Sequence, residues 1–128
     1  MPSRDSRERP ALNSRINMKF QTHNETEVDT NMSHLQGYIT ADYEELVDAF
    51  GSPMRYGFDD YKVDAEWHIS FADGSVASIY NWKNGRNYMG TQGMDVQDIR
   101  EWHVGGFSKI SLFRVAEVLN KQTVKAAA

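Results

Sequence analysis

Between Tyr61 and Lys83 the side chains alternate so regularly that few folds remain open. Val63, Ala65, Trp67, Ile69 and Phe71 fall on one side, and Lys62, Asp64, Glu66, His68 and Ser70 on the other. A period of two is that of a half-buried strand. Asp73-Gly74 follows, and the chain resumes as Val76 to Trp82. This pattern predicts a β-hairpin closed by a two-residue type I′ turn. Such a turn sets Phe71 opposite Val76, Ile69 opposite Ser78, Trp67 opposite Tyr80 and Ala65 opposite Trp82, so that one side is apolar and aromatic.

The flanking sequence supplies partners for that side. A short strand is predicted from Leu35 through Tyr38 and Ile39. Thr40 then caps a helix over Ala41–Phe50, with Asp42, Glu44 and Glu45 at its positive end and Tyr43, Leu46, Val47 and Phe50 at helical spacing. Gly51 and Pro53 end it. After the hairpin, Asn84-Gly85 signals a turn and residues 86–95, with Gly90 and Gly93, read as an exposed, adaptable loop. A further strand is predicted over Ile99–His103 and broken by Gly105-Gly106. Ser108 caps a closing helix whose buried stripe is Ile110, Phe113, Ala116 and Leu119, widened by Leu112, Val115 and Val118. The order β-α-β-β-β-α gives an α+β fold, an antiparallel sheet of about four strands with two helices packed on one face. Trp67, Tyr80 and Trp82 are expected to meet Leu46, Phe50, Ile110 and Phe113 in the core.

The 128 residues are divided into a disordered or extended tail (1–33), one domain (34–121) and a frayed tail (122–128). Met18-Lys19-Phe20 resembles a translation start, so the first 17 residues read as an extension. Their four arginines against Asp5 and Glu8 give a net charge of +2, leaving −6 on residues 18–128. The basic stretch reads as a solvated tail in preference to an RNA-binding arm. The acidic balance of the rest argues against nucleic acid as a partner. Zero cysteines remove disulfides, thiolate metal sites and a cysteine nucleophile together. No apolar run approaches the roughly 20 residues of a membrane span, and a cytoplasmic protein is expected.

Two constellations carry possible chemistry. Asp64, Glu66 and His68 point the same way at steps of about 6.6 Å on one strand. They could serve as a general acid and base or hold a divalent cation; the simpler reading, preferred here, is the solvated face of a sheet, with Asp64 paired to Lys83 and Glu66 opposite Asn81. The second is Trp102-His103-Val104-Gly105-Gly106-Phe107-Ser108, where two glycines before a capped helix offer backbone N–H groups to an anion, with His103, Lys109, Arg114 and Arg86 as neighbours. It lacks the Lys-Ser/Thr of a phosphate-binding loop, and a plain turn into the helix explains it as well. The run from Tyr88 to Met94 mixes an aromatic ring and two methionines with glycines, a composition suited to an adaptable binding surface. No Gly-x-Ser-x-Gly elbow is present, and His23 and His34 sit in polar sequence without a pattern.

The segments Asp64-Ala65-Glu66-Trp67, Asp73-Gly74-Ser75-Val76-Ala77-Ser78-Ile79-Tyr80-Asn81-Trp82-Lys83 and Trp102-His103-Val104-Gly105-Gly106 resemble a family of small proteins encoded by bacteriophages, over roughly Leu35 to Leu119. The resemblance implies a viral accessory protein in the host cytoplasm and carries over no catalytic residues. One expectation is therefore a homo-oligomeric, most simply homodimeric, binding protein without cofactor or metal, directed at a host protein or a nucleotide immune signal. In the second case it would act as a sponge, as the Thoeris anti-defence proteins do, which it is similar to in size and setting. Tyr88 or Trp102 would stack on bases, Arg86, Lys109 and Arg114 would neutralise phosphates, and His103, Gly105 and Gly106 would complete the site. The alternative is a small metal-dependent enzyme acting on a nucleotide or phosphoester through Asp64, Glu66 and His68.

Overall fold

The computed structural model describes residues 19–128. Its elements are β1 (Phe20–Thr22), β2 (His34–Thr40), α1 (Tyr43–Phe50), β3 (Glu66–Phe71), β4 (Val76–Tyr80), the one-turn α2 (Arg86–Met89), β5 (Glu101–Gly106), α3 (Lys109–Leu119) and β6 (Lys125–Ala126), with short 3₁₀ turns at Gly90–Gln92 and Val96–Asp98. The fold is α+β with one antiparallel sheet. That sheet has six strands, not about four, in the order β1-β3-β4-β5-β2-β6.

Both additions come from sequence expected to be tail. β1 pairs with β3, Phe20 opposite Phe71, and the Phe20 ring lies 5.4 Å from that of Phe50. At the other edge β6 pairs with Gly37 and Tyr38 of β2. Residues 19–33 and 125–126 therefore belong to the fold, while the arginines of residues 4–15 and the suggested start at Met18 lie outside the described residues.

The β3–β4 hairpin forms as expected, but its loop does not. Phe71 N–H donates to Ser75 O at 2.8 Å and Gly74 N–H to Phe71 O at 2.9 Å, enclosing three loop residues. Gly74 has φ +93°, the left-handed residue that follows a type I turn and makes a one-residue bulge. Asp73 needs no positive φ there. Its Oδ1 accepts from Ser75 N–H at 2.9 Å and Ser75 Oγ–H at 2.6 Å. The register shifts by one: Ile69 faces Ala77, Trp67 faces Ile79 and Glu66 faces Tyr80. A shift of one residue exchanges the two sides of a strand, so Ile79 and Ala77 enter the core and Tyr80 leaves it.

Trp67 and Trp102 meet edge to face at 5.6 Å in the centre of that core, with Ile39, Leu46, Ile79, Val104, Leu112 and Val115 around them. Both indole N–H groups are satisfied, Trp67 by Gly51 O (2.8 Å) and Trp102 by Ala41 O (3.0 Å). Each such side chain contributes roughly 1.5–3 kcal/mol by leaving water. Trp82 is 39% exposed and takes no part.

α1 starts later than expected, after Asp42, whose N–H donates to Glu45 Oε1 at 3.0 Å. Ser108 does cap α3, accepting from Ile110 N–H at 3.2 Å. The helix is nevertheless rotated from the expected phase: Ser111, Leu112, Val115 and Ala116 are buried, whereas Ile110 and Phe113 face out. Gly106 explains the rotation. A Cβ there would collide with Ser111, so the bare backbone seats that residue, and Ser111 Oγ donates to Val76 O at 2.5 Å. Gly105 and Gly106 consequently continue β5, paired to β2 on one side and β4 on the other, and do not break it. Residues 84–94 are likewise not an open loop: Met94 N–H donates to Asn84 O (2.9 Å) and Arg86 Nε to Gly93 O (3.3 Å).

Three strands separate β1 from β2, so residues 23–33 must cross the sheet. His23 and residues 26–31 share a cleft with His68, which points away from the core beside Glu66. The crossing thus runs on the side opposite α1 and α3.

Candidate functional site

The exchanged face of β4 builds the site. Glu66, Tyr80, His103 and Tyr38 stand in register across β3, β4, β5 and β2, all four half-buried on the side that no helix covers. The His103 ring lies 4.9 Å from Tyr38 and 5.3 Å from Tyr80, the latter pair inclined by only 30°. Trp82, two residues beyond Tyr80, extends the row at 6.1 Å. Lysines close both ends: Lys125 Nζ lies 5.4 Å from the Tyr38 centroid, and Lys62 and Lys83 lie 5.5 and 5.7 Å from that of Trp82. Lys83 also approaches Tyr88 at 5.4 Å, which is packed against Tyr61. The result is a strip of rings bordered by cations, with one carboxylate beside it.

Burial sets the protonation of the strip. Desolvation holds the His103 imidazole below its ordinary value, against the upward pull of Glu101. Its Nδ1 is buried without a hydrogen-bond partner, as expected of a neutral ring. The Tyr80 hydroxyl is pushed up, first by burial and then by Glu66 and Tyr38.

Beside the strip, Glu66 Oε2 and His68 Nε2 are 2.6 Å apart, with side chains only 16% and 11% exposed. The backbone N–H of His68 donates to His23 Nδ1 at 3.3 Å, and His23 Nε2 meets Ser52 O at 2.9 Å. These partners assign the His23 proton to Nε2. His68 lines a cleft of about 850 Å³ together with residues 26–31, Glu27, Asp29 and Thr30 among them, and with Met54, Tyr56 and Gly57. A carboxylate that fixes one imidazole nitrogen orients the ring toward such a cleft.

Asp64 does not join Glu66 and His68. Fully buried Asn81 accepts from the N–H groups of Asp64 (2.8 Å) and Ala65 (3.1 Å) and donates to Asp64 Oδ1 (2.9 Å), while Asn87 N–H donates to Asp64 Oδ2 at 3.2 Å. Asp64 is thus a clamp on the turn after β4, and the expected Asp64–Lys83 and Glu66–Asn81 cross-strand pairs are replaced. Among the described residues no group of three or more His, Asp or Glu side chains is placed to hold a metal ion.

The residues expected to bind a ligand are dispersed. Trp102 is wholly buried under the sheet. Gly105 and Gly106 are committed to the sheet ladders. Lys109 Nζ reaches Gln36 Oε1 at 3.4 Å, Arg114 holds Asp73 (2.8 Å) and Glu117 (3.0 Å), and Arg86 holds its own turn. Of the set, His103 lies in the strip and Tyr88 adjoins its Lys83 end. Tyr38, Tyr80, Trp82, Lys62 and Lys125 are supplied by the structure. The signal for Tyr80 was present in the alternation itself, but only a three-residue loop at Ala72–Gly74 turns it outward.

No protein-family profile matches the sequence, and a comparison with curated proteins gave no match. Among the described residues no helix is long and apolar enough to cross a membrane.

Proposed function

We propose that this protein acts by binding, and that its ligand is a nucleotide whose base lies on the strip formed by Tyr38, His103, Tyr80 and Trp82. The observation that supports this is the in-register row of rings on the sheet face that no helix covers, with lysines at both ends. Base–aromatic stacking contributes about 1–3 kcal/mol per base and needs no particular base. Lys62, Lys83 and Lys125 supply positive charge for phosphates at the ends. Glu66 accepts from an exocyclic amine or a ribose hydroxyl. In the phage setting that the sequence resemblance implies, such a protein is an accessory factor in the host cytoplasm that sequesters a nucleotide signal.

The test is calorimetry of the purified protein against linear and cyclic nucleotides, with analysis of any nucleotide released on heating. Binding is expected, weakened about tenfold in Tyr80→Ala and in His103→Ala with unchanged circular dichroism. If no nucleotide binds at millimolar concentration and none is released, the reading is wrong, and a host protein becomes the partner to seek on the same face.

The Glu66–His68 pair favours one competing reading, an enzyme in which His68 acts as general base on a phosphoester in the cleft. Turnover of any nucleotide in Mg²⁺ or Mn²⁺, abolished by His68→Gln, would replace binding with catalysis.

A further inference from the structure

The closing helix is apolar on two sides. Leu112, Val115 and Ala116 face the core, while Ile110 (40% exposed) and Phe113 (48%) face out, joined at the helix start by Phe107 (55%). A helix with apolar residues on both sides is ordinarily covered on both. We infer that a second copy of this chain covers the outer side of α3, the two helices crossing antiparallel about a two-fold axis at Phe113.

The charges around Phe113 select this occupant. Lys109 and Glu117 stand four residues before and four after it, on the same stripe of the helix. An antiparallel pairing centred on Phe113 sets each Lys109 opposite the Glu117 of the other copy, twice by symmetry. Glu117 keeps an oxygen for that bond, because Arg114 takes only Oε1, and Lys109 keeps two N–H groups beyond the one directed at Gln36 Oε1. Ile110 of each copy flanks the central pair of rings. A self-complementary patch is what an isologous interface requires. The contact involves one 11-residue helix per copy, so it lies at the small end of the roughly 1,200–2,000 Å² of specific interfaces, and a dissociation constant on the order of 10 μM is expected. Since α3 lies on the helical side of the sheet, the copies join back to back and neither covers the ring strip of the other.

Sedimentation velocity across the micromolar range reads the association. A monomer–dimer equilibrium is expected, with Phe113→Asp monomeric at every concentration and melting at the unchanged temperature. Lys109→Glu should weaken the dimer at least tenfold, and Lys109→Glu combined with Glu117→Lys should restore it. The chain has no cysteine, so Phe113→Cys provides an independent report: mild oxidation should give one disulfide-linked dimer. A monomer throughout, a dimer indifferent to Phe113→Asp, or failure of Phe113→Cys to cross-link would each overturn the inference. None of these readouts depends on nucleotide binding.

Discussion

Asp73 is exposed at a turn, yet its carboxyl is held at about 2, first by the Ser75 hydroxyl and N–H and then by Arg114. Because the folded value lies below the unfolded one, its stabilising contribution is present above the ordinary carboxylate range and is lost as pH falls toward 2. A carboxyl ¹³C titration should find Asp73 ionising near 2, and Ser75→Ala should raise it. His103 behaves in the corresponding way for a cation. Its folded value is depressed by burial, so the unfolded chain takes up the proton first, and stability drops as pH falls below about 6.5. Thermal midpoints between pH 7.5 and 5.5 should fall less steeply in His103→Gln than in the parent. Asn81 is the residue whose polar commitments are largest. Asn81→Ala leaves the buried N–H of Ala65 and that of Asp64 without their acceptor, and should cost about 3 kcal/mol in urea denaturation. Nothing in the sequence distinguished Asn81 from its neighbours, because its role depends on where the chain returns after residue 64.

At the scale of elements, the hairpin was legible in the alternation of residues 62–71, but its register was not. Asp-Gly serves both a two-residue type I′ loop and the second half of a three-residue loop. What separates them is the Asp73 side chain holding Ser75, together with the burial of Ile79 in place of Tyr80. That one-residue difference moved the candidate site, since it alone brings Tyr80 beside Glu66 and His103. Gly74→Ala at φ +93° should therefore cost about 1 kcal/mol, with Gly74→Asn less damaging because asparagine tolerates left-handed backbone. The phase of α3 was ambiguous for a similar reason. Apolar residues at 110, 112, 113, 115 and 116 support two stripes, and the seat of Ser111 on Gly106 chooses between them. Gly106→Ala should overpack that seat and destabilise by about 1–3 kcal/mol.

For the whole molecule, the polar stretch 19–33 concealed a structural duty. Of its three large apolar residues two anchor it: Phe20 packs on Phe50 and Phe71, and Val28 is buried in the crossing segment, whereas Met32 is exposed. The three-residue β1 covers the outer edge of β3, whose sequence Glu-Trp-His-Ile-Ser-Phe would otherwise offer an apolar strand with unpaired backbone groups. Short edge strands blunt that hazard. The crossing segment also supplies one wall of the cleft and, through His23, holds the backbone of His68. Removal of residues 1–33 should thus act on stability and site together, and the two effects separate by measurement. Loss of the β3 edge cover predicts a lower, broadened melting transition and concentration-dependent aggregation that Phe20→Ala reproduces in part. Loss of the cleft wall predicts that the His68 ring signals shift in NMR spectra of whatever fraction remains folded, while Phe20→Ala leaves them in place. A truncated protein that melts cooperatively at the parent temperature would show that the sheet closes at β3 without β1.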